Sequence, residues 1–166
     1  YGLPFQTTAS MARTLTQVIA MAPDRVAFYR LAVMPEIFKW QRSFSHTDLP
    51  AGDDALNLNL LAIQTFGEAG YEFIGLDHFA KQDDALAVAA RDRTLTRSFM
   101  GVTTDHEVDI VGLGPTAIST YVGGFAQNIK GHERWHRCVT RGDVPVEKSL
   151  LFSRDDTVRR EVLWQL

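Results

Sequence analysis

The chain has 166 residues, 45% of them apolar and 22% charged, with a net charge of −3. That is enough for a packed core of ordinary globular composition, and the small negative charge supplies no basic field to hold nucleic acid. No apolar run approaches the ~18–20 residues of a membrane-spanning helix, and the opening residues do not read as a secretory leader. Cys138 is the single cysteine, which excludes an intrachain disulfide and fits a reducing, cytoplasmic setting.

In chain order, Gly2 and Pro4 make a turn, and Thr7 or Thr8 caps a helix running to about Ala22. Met11, Leu15, Val18, Ile19 and Ala22 recur at helical spacing as its buried stripe. Pro23-Asp24 breaks it. Arg25–Val33 is β-branched, aromatic and short, the pattern of a strand. The long connection Met34–Gly52, punctuated by Pro35 and Pro50, is expected to be a functional loop with room for a short helix. A second helix starts at Asp53 or Asp54, with Leu56, Leu60, Leu61, Ile63 and Phe66 as its apolar face and Gly70 as its stop. Tyr71–Leu76 is a second strand, DHFAKQDD (77–84) a polar turn, and Asp84–Arg91 a short Ala-rich helix.

Helix, strand, helix, strand, helix is the grammar of βα units on a parallel sheet. The last third is less regular. SFMGVTT, EVDIVGLG and TAISTYVG resemble short strands with Gly turns, Asn128–Thr140 is expected to be helical, and Asp155 or Asp156 caps a last helix. The chain opens on YGLPFQT without an initiator Met and closes on RREVLWQL without a Gly or Asn stop, so the expectation is a piece of a longer polypeptide.

Four stretches carry side chains suited to chemistry. GHERWH contains His132, Glu133 and His136 in the H-E-x-x-H spacing, which on a helix places two histidines one turn apart with a general base beside them. A zinc peptidase would need a third ligand, for which Glu147 or Glu161 can be named. Against it, Gly131 weakens the helix start by about 1 kcal/mol relative to Ala, and the plain alternative is an amphipathic helix with histidines at its margin. VGLGPTAIS (Val111–Ser119) places two glycines after a strand, where backbone amides approach a phosphate, ribose or carboxylate; it is not GxGxxG, Pro115 removes a donor, and a tight turn explains it equally. Asp77 and His78 stand just past a strand, where a βα barrel keeps its active site; they are substrate-pocket candidates, or else a turn cap and a packed ring. In SRDDTVRREV, Arg159 follows Asp155 by four residues, the spacing of a helical ion pair.

Taken together, YGLPFQT, FKWQR, GYEFIGLDHFA, DDALAVAARDRTLTRSFMGVTT, VGLGPTAIS and SRDDTVRREV resemble oxygen-independent coproporphyrinogen III oxidase (coproporphyrinogen dehydrogenase), a radical S-adenosylmethionine (SAM) enzyme of haem synthesis, across essentially the whole chain and in the same order. The resemblance implies an α/β fold, a partial TIM-like (βα) barrel: residues 1–125 would be the later part of the barrel, and 126–166 a helical segment leading to a helical domain beyond this chain. It implies a four-iron, four-sulfur (4Fe-4S) cluster on a CxxxCxxC motif, two bound SAM molecules, and oxidation of two propionates of a tetrapyrrole to vinyl groups with loss of CO2. It implies a monomeric whole enzyme, with no membrane span or nucleic-acid partner, and it does not name the electron donor. Because Cys138 cannot hold four irons by itself, this segment alone is expected to be inactive.

Residue by residue, the resemblance matches Ala32 to a backbone contact with one SAM, Ile118 to an apolar contact with the other, and Phe99 to an aromatic near cluster and SAM. It carries no metal ligand onto this chain, and it aligns GHERWH with an outer helix lacking the histidine pair. Two positions depart from the family's habit. Leu31-Ala32-Val33 stands where Tyr-Ala-His is common, and Met100 where Gln follows the aromatic. Two alternatives accompany this reading: a haem-binding relative without oxidase activity, and the zinc peptidase.

Overall fold

The computed structural model describes residues 1–75, 77–98, 101–105 and 108–164, which form two compact units, Tyr1–Leu95 and Thr96–Leu166. The first unit begins with α1 (Thr8–Ala20). Thr7 caps it as expected: the Ser10 N–H donates to Thr7 Oγ1 and the Thr7 N–H to Ser10 Oγ, so two otherwise unpaired donors are satisfied reciprocally. Of the expected stripe, Met11 and Leu15 are buried and Val18 and Ile19 pack at the margin, whereas Ala22 lies past the helix end and is exposed.

Strand β1 spans only Arg25–Ala27, not Arg25–Val33. Beyond it the backbone is satisfied by other partners: the Phe28 N–H donates to Asp77 O at 2.8 Å and the Leu31 N–H to Tyr1 O at 2.7 Å. The long connection holds two short 3-10 helices, Lys39–Ser43 and His46–Asp48.

Helix α2 (Asp53–Glu68) is where expected, but its buried face is Ala55, Leu58, Ala62 and Phe66. Leu56, Leu60 and Ile63 of the expected face are exposed, with only Phe66 shared and Leu61 partly buried. The sequence offers two apolar stripes, and packing against α1 selects the one with smaller residues.

Strands β2 (Tyr71–Gly75) and β3 (His78–Lys81) form an antiparallel pair, with Phe73 opposite Phe79. Half of the expected polar turn at 77–84 is thus a strand, His78–Lys81. Asp77 adopts φ 61, a left-handed conformation that Asp tolerates, which shortens the reversal and returns Phe79 and Ala80 to the core. The sheet order is β1-β3-β2 with both pairings antiparallel, a correction to the expected parallel sheet. β1 and β2 do run in one direction, but β3 lies between them.

Met11, Leu15, Leu58, Ala62, Phe66, Tyr71 and Phe79 form the core of this unit. Phe66 and Phe79 are each 1% exposed, with ring centroids 4.8 Å apart. Helix α3 (Ala85–Asp92) follows, capped by Asp84, whose carboxylate accepts from the Leu86 N–H at 2.7 Å and from Arg25 Nε at 2.9 Å.

In the second unit, β4 (Thr96–Ser98) and β5 (Gly101–Thr103) form a hairpin. Strands β6 (Ile118–Tyr121), β7 (Gly124–Asn128) and β8 (Val146–Leu151) form an antiparallel sheet in that order. Of the expected strand in EVDIVGLG, Ile110 alone pairs among the described residues 108–114, as a bridge to Thr120. Residues 128–131 precede the helix expected there; α4 is His132–Thr140, because Asn128 still pairs with Val146 and the Ile129 N–H donates to Pro145 O at 2.8 Å. The expected boundary between 125 and 126 falls within β7, and the segment 126–166 contains β8 as well as helices.

At Gly124 the partner strand approaches so closely that a Cβ would strike Leu150 O. Helix α5 (Arg154–Trp164) starts at Ser153, whose Oγ accepts from the Asp156 N–H while the Asp156 carboxylate accepts from Ser153 N and Oγ. Asp155 instead pairs with Arg159 at 2.6 Å, the expected helical ion pair.

Two outcomes follow. Phe79→Ala should lower unfolding free energy by about 3–5 kcal/mol, the usual cost of deleting a buried aromatic, measured by denaturant titration. Burial alone would push the Asp84 carboxyl up, but the hydrogen bonds from Arg25 and Leu86 hold it below its ordinary value. Its stabilising contribution is therefore present above the unfolded-state value and fades as pH falls through the carboxylate range. Asp84→Ala should cost about 1–2 kcal/mol near neutral pH, and that difference should shrink below about pH 4 in the same titration. A difference that grows on acidification contradicts this assignment.

Candidate functional site

The first unit's candidate residues lie on the chain between β1 and the 3-10 helices and at the β2–β3 reversal. Tyr1 runs beside the first of these, its N–H donating to Tyr29 O at 2.6 Å and its ring stacking on Phe28 at 4.5 Å. Ala32 is exposed, with its carbonyl accepting from Gln41 Nε2 at 2.9 Å while Gln41 Oε1 accepts from the Met34 N–H. Gln41 is 3% exposed, so a buried amide fixes the backbone on both sides of Val33. The Ala32 N–H, like those of Tyr29, Arg30 and Val33, has no hydrogen-bond partner among the described residues.

Next to it a cavity of about 410 Å³ is lined by Val33, Glu36, Gln41, Arg42, Ser45 and His46, among others. Arg42 reaches Pro35 O through Nε at 3.1 Å and Glu36 at 3.5 Å.

Asp77 and His78 are adjacent to this chain segment, as the Phe28–Asp77 backbone bond requires. His78 Nε2 and Tyr29 Oη share a hydrogen bond of 3.1 Å, with the rings edge to face. His78 is the first residue of β3, opposite Ala27 on β1, and half-buried. The Asp77 carboxylate has no hydrogen-bond partner among the described residues, while its backbone holds the turn. The structure therefore brings Tyr29, Asp77 and His78 together around one short stretch.

In the second unit, Ile118 opens β6 opposite Gln127 and is half-buried. The preceding glycine loop is fixed from inside. Buried Asn128 donates through Nδ2 to Gly112 O at 3.1 Å and Gly114 O at 2.9 Å, and buried Ser119 accepts from the Gly112 N–H at 2.9 Å. A Cβ at Gly112 would lie 2.8 Å from the Ile118 backbone, so only glycine allows this close approach. The loop is neither a bare turn nor an amide nest: its carbonyls face its own Asn128, and what it presents outward is apolar, with Leu113 88% exposed. Phe99, the remaining candidate, lies outside the described residues.

Gln41, Tyr29, Asn128 and Ser119 escaped the reading of the sequence. Gln41 sits in the quoted FKWQR, but an isolated Gln carries no pattern that distinguishes a buried clamp from a surface residue. Asn128 falls in the stretch whose sequence pattern predicts a helix, where an Asn gives no sign of anchoring a loop 14 to 16 residues away.

On the third stretch, α4, the two histidines are on the exposed side, and Glu147, a named third ligand, is paired with Arg134 at 2.7 Å. Its carboxyl is held below the ordinary glutamate value, chiefly by Arg134 and then by the Lys130 N–H. Among the described residues no group of three or more His, Cys, Asp or Glu gathers to hold a metal. None of the described helices is long and apolar enough to cross a membrane.

This mixed helix–strand fold is similar to part of a radical SAM enzyme. The solved structure of coproporphyrinogen III oxidase from Escherichia coli, described as a radical SAM enzyme, superposes with a TM-score of 0.84 at 40% identity over 98% of this chain and 37% of that one. The particular likeness is to oxygen-independent coproporphyrinogen III oxidase, as the motifs quoted above imply. The proteins of that name from Salmonella typhimurium strain LT2 and Pseudomonas aeruginosa strain PAO1 are 40% and 41% identical over 98% and 100% of the chain. The chain spans 36% of the length of these relatives. No family model matches it.

Gln41→Leu should strand the Ala32 carbonyl and the Met34 N–H, at a cost of about 1–3 kcal/mol per buried unpaired group. The expected readouts are reduced stability in denaturant and faster proteolysis between residues 29 and 46. Unchanged stability together with unchanged cleavage would show that the clamp does not hold this segment.

Proposed function

We propose that this chain is the segment of an oxygen-independent coproporphyrinogen III oxidase that lines the cofactor and tetrapyrrole cavity of a partial (βα) barrel, with residues 1–125 in the barrel and 126–166 leading toward a helical domain. The observation that carries the reading is the 0.84 TM-score at 40% identity across 98% of the chain. Bound SAM and a 4Fe-4S cluster would supply removal of a hydrogen atom from a propionate side chain, whose carboxylate would then leave as CO2 with one electron passing to an external acceptor, so that the two remaining carbons become a vinyl group.

The residues present do not fit the cluster: Cys138, the one cysteine, is buried in α4, and iron–sulfur clusters of this kind are held by several thiolates. The resemblance assigns Ala32 and Ile118 to two different SAM molecules, and each suits that role by itself: the Ala32 N–H has no hydrogen-bond partner among the described residues and stands on a backbone pinned by Gln41, and Ile118 offers a half-buried apolar side chain on a loop pinned by Asn128. Phe99 is assigned by resemblance to a place near cluster and SAM. Tyr29, Asp77 and His78 are the polar groups proposed to face the tetrapyrrole, where a hydrogen-bonded Tyr–His pair and a free carboxylate orient pyrrole N–H groups.

The complete polypeptide that carries this segment, reconstituted with iron and sulfide without oxygen, should convert coproporphyrinogen III to protoporphyrinogen IX in the presence of SAM and a reductant. The 166-residue chain alone should not. SAM cleavage without vinyl product, or tight stoichiometric haem binding without decarboxylation, overturns the assignment; the second outcome identifies a haem-binding relative.

A further inference from the structure

The motif this function leaves unused is Gly131–His136. Helix α4 presents His132 and His136 one turn apart, both exposed, with their rings inclined by 20° and their centroids 6.4 Å apart. Neither imidazole has a hydrogen-bond or ion-pair partner among the described residues. They share a cavity of about 340 Å³ with Glu133 and Arg137 only. Nothing in that cavity competes for the ring nitrogens, since Glu133 and Arg137 form a loose pair of their own at 3.9 Å.

We propose that His132 and His136 form a two-histidine chelate for a divalent transition-metal ion, with water completing its coordination. Imidazole nitrogen suits Cu²⁺, Ni²⁺ and Zn²⁺. Metal–nitrogen bonds of about 2.0–2.1 Å require the two donor nitrogens to lie roughly 3 Å apart. Side chains spaced i,i+4 have Cβ atoms about 5–6 Å apart, and side-chain rotation of these two exposed residues closes the rest of the gap. The backbone already spans the correct face, because α4 is regular from His132 onward.

The site is a chelate and not a peptidase centre. Catalytic zinc takes three protein ligands, and here Glu147, on β8, is held by Arg134. Arg137 in the wall sets a cation beside the ion, which keeps affinity modest, and Glu133 partly offsets that charge. By the ligand-field order the site ranks Cu²⁺ above Ni²⁺ and Zn²⁺.

Calorimetric titration of the protein with copper, nickel and zinc chlorides tests the proposal. One equivalent of Cu²⁺ is expected, bound more tightly than the other two. His132→Ala and His136→Ala should each weaken it at least ten-fold, while His46→Ala leaves it unchanged. The bound ion should raise the unfolding temperature of the parent and not of either α4 variant. Circular dichroism checks that the variants keep their helix, and the copper electron paramagnetic resonance spectrum of the unsubstituted protein should carry splitting from two nitrogens. Full affinity in either α4 variant, or a spectrum without nitrogen coupling, overturns the site.

Discussion

The first unit depends on the burial of Phe79 in a strand that is paired on both sides. β3 is only four residues long, yet it supplies the partners of β1 and of β2, and Phe79 sends its ring into the space that α1 and α2 enclose. Phe28, Phe66 and Phe73 all meet that ring, at centroid distances of 4.8–6.4 Å. The same strand begins at His78 and is preceded by Asp77, so the apolar anchor also sets the position of these two polar groups. A hydrophobic constraint thus fixes polar chemistry one and two residues away.

The helices were legible because their signals are local. Thr7 and Asp84 cap where capping residues stand in the sequence, and α3 differs from expectation by one residue. The strands were less so. His78–Lys81 carries a histidine and a lysine at its ends, and its identity as a strand comes from β1 and β2, which lie 51 or more and a few residues away in sequence, respectively. Helix α2 shows the same limit: Leu56, Leu60 and Ile63 form as good a stripe as Ala55, Leu58 and Ala62, and only the small residues permit the approach of α1. Asp77 and His78 are candidates by their place after a strand. Their partner Tyr29, and the clamps Gln41 and Asn128, required tertiary contacts that no spacing rule encodes.

The chain's contribution to the proposed chemistry is a set of backbones fixed by buried amides. Gln41 holds the stretch around Ala32, and Asn128 with Ser119 holds the stretch before Ile118. In both, the buried group bonds to main chain, so the course of the backbone is fixed from inside while its outer side makes few polar contacts of its own.

Gly124 bears on how this sequence can vary. It pairs with Leu151 at the start of β7, and Leu150 O occupies the space where any side chain would begin. Even alanine there would push β8 from its neighbour, and β8 leads directly into α5. Any residue with a Cβ at this position therefore requires a whole strand, and the helix it feeds, to shift.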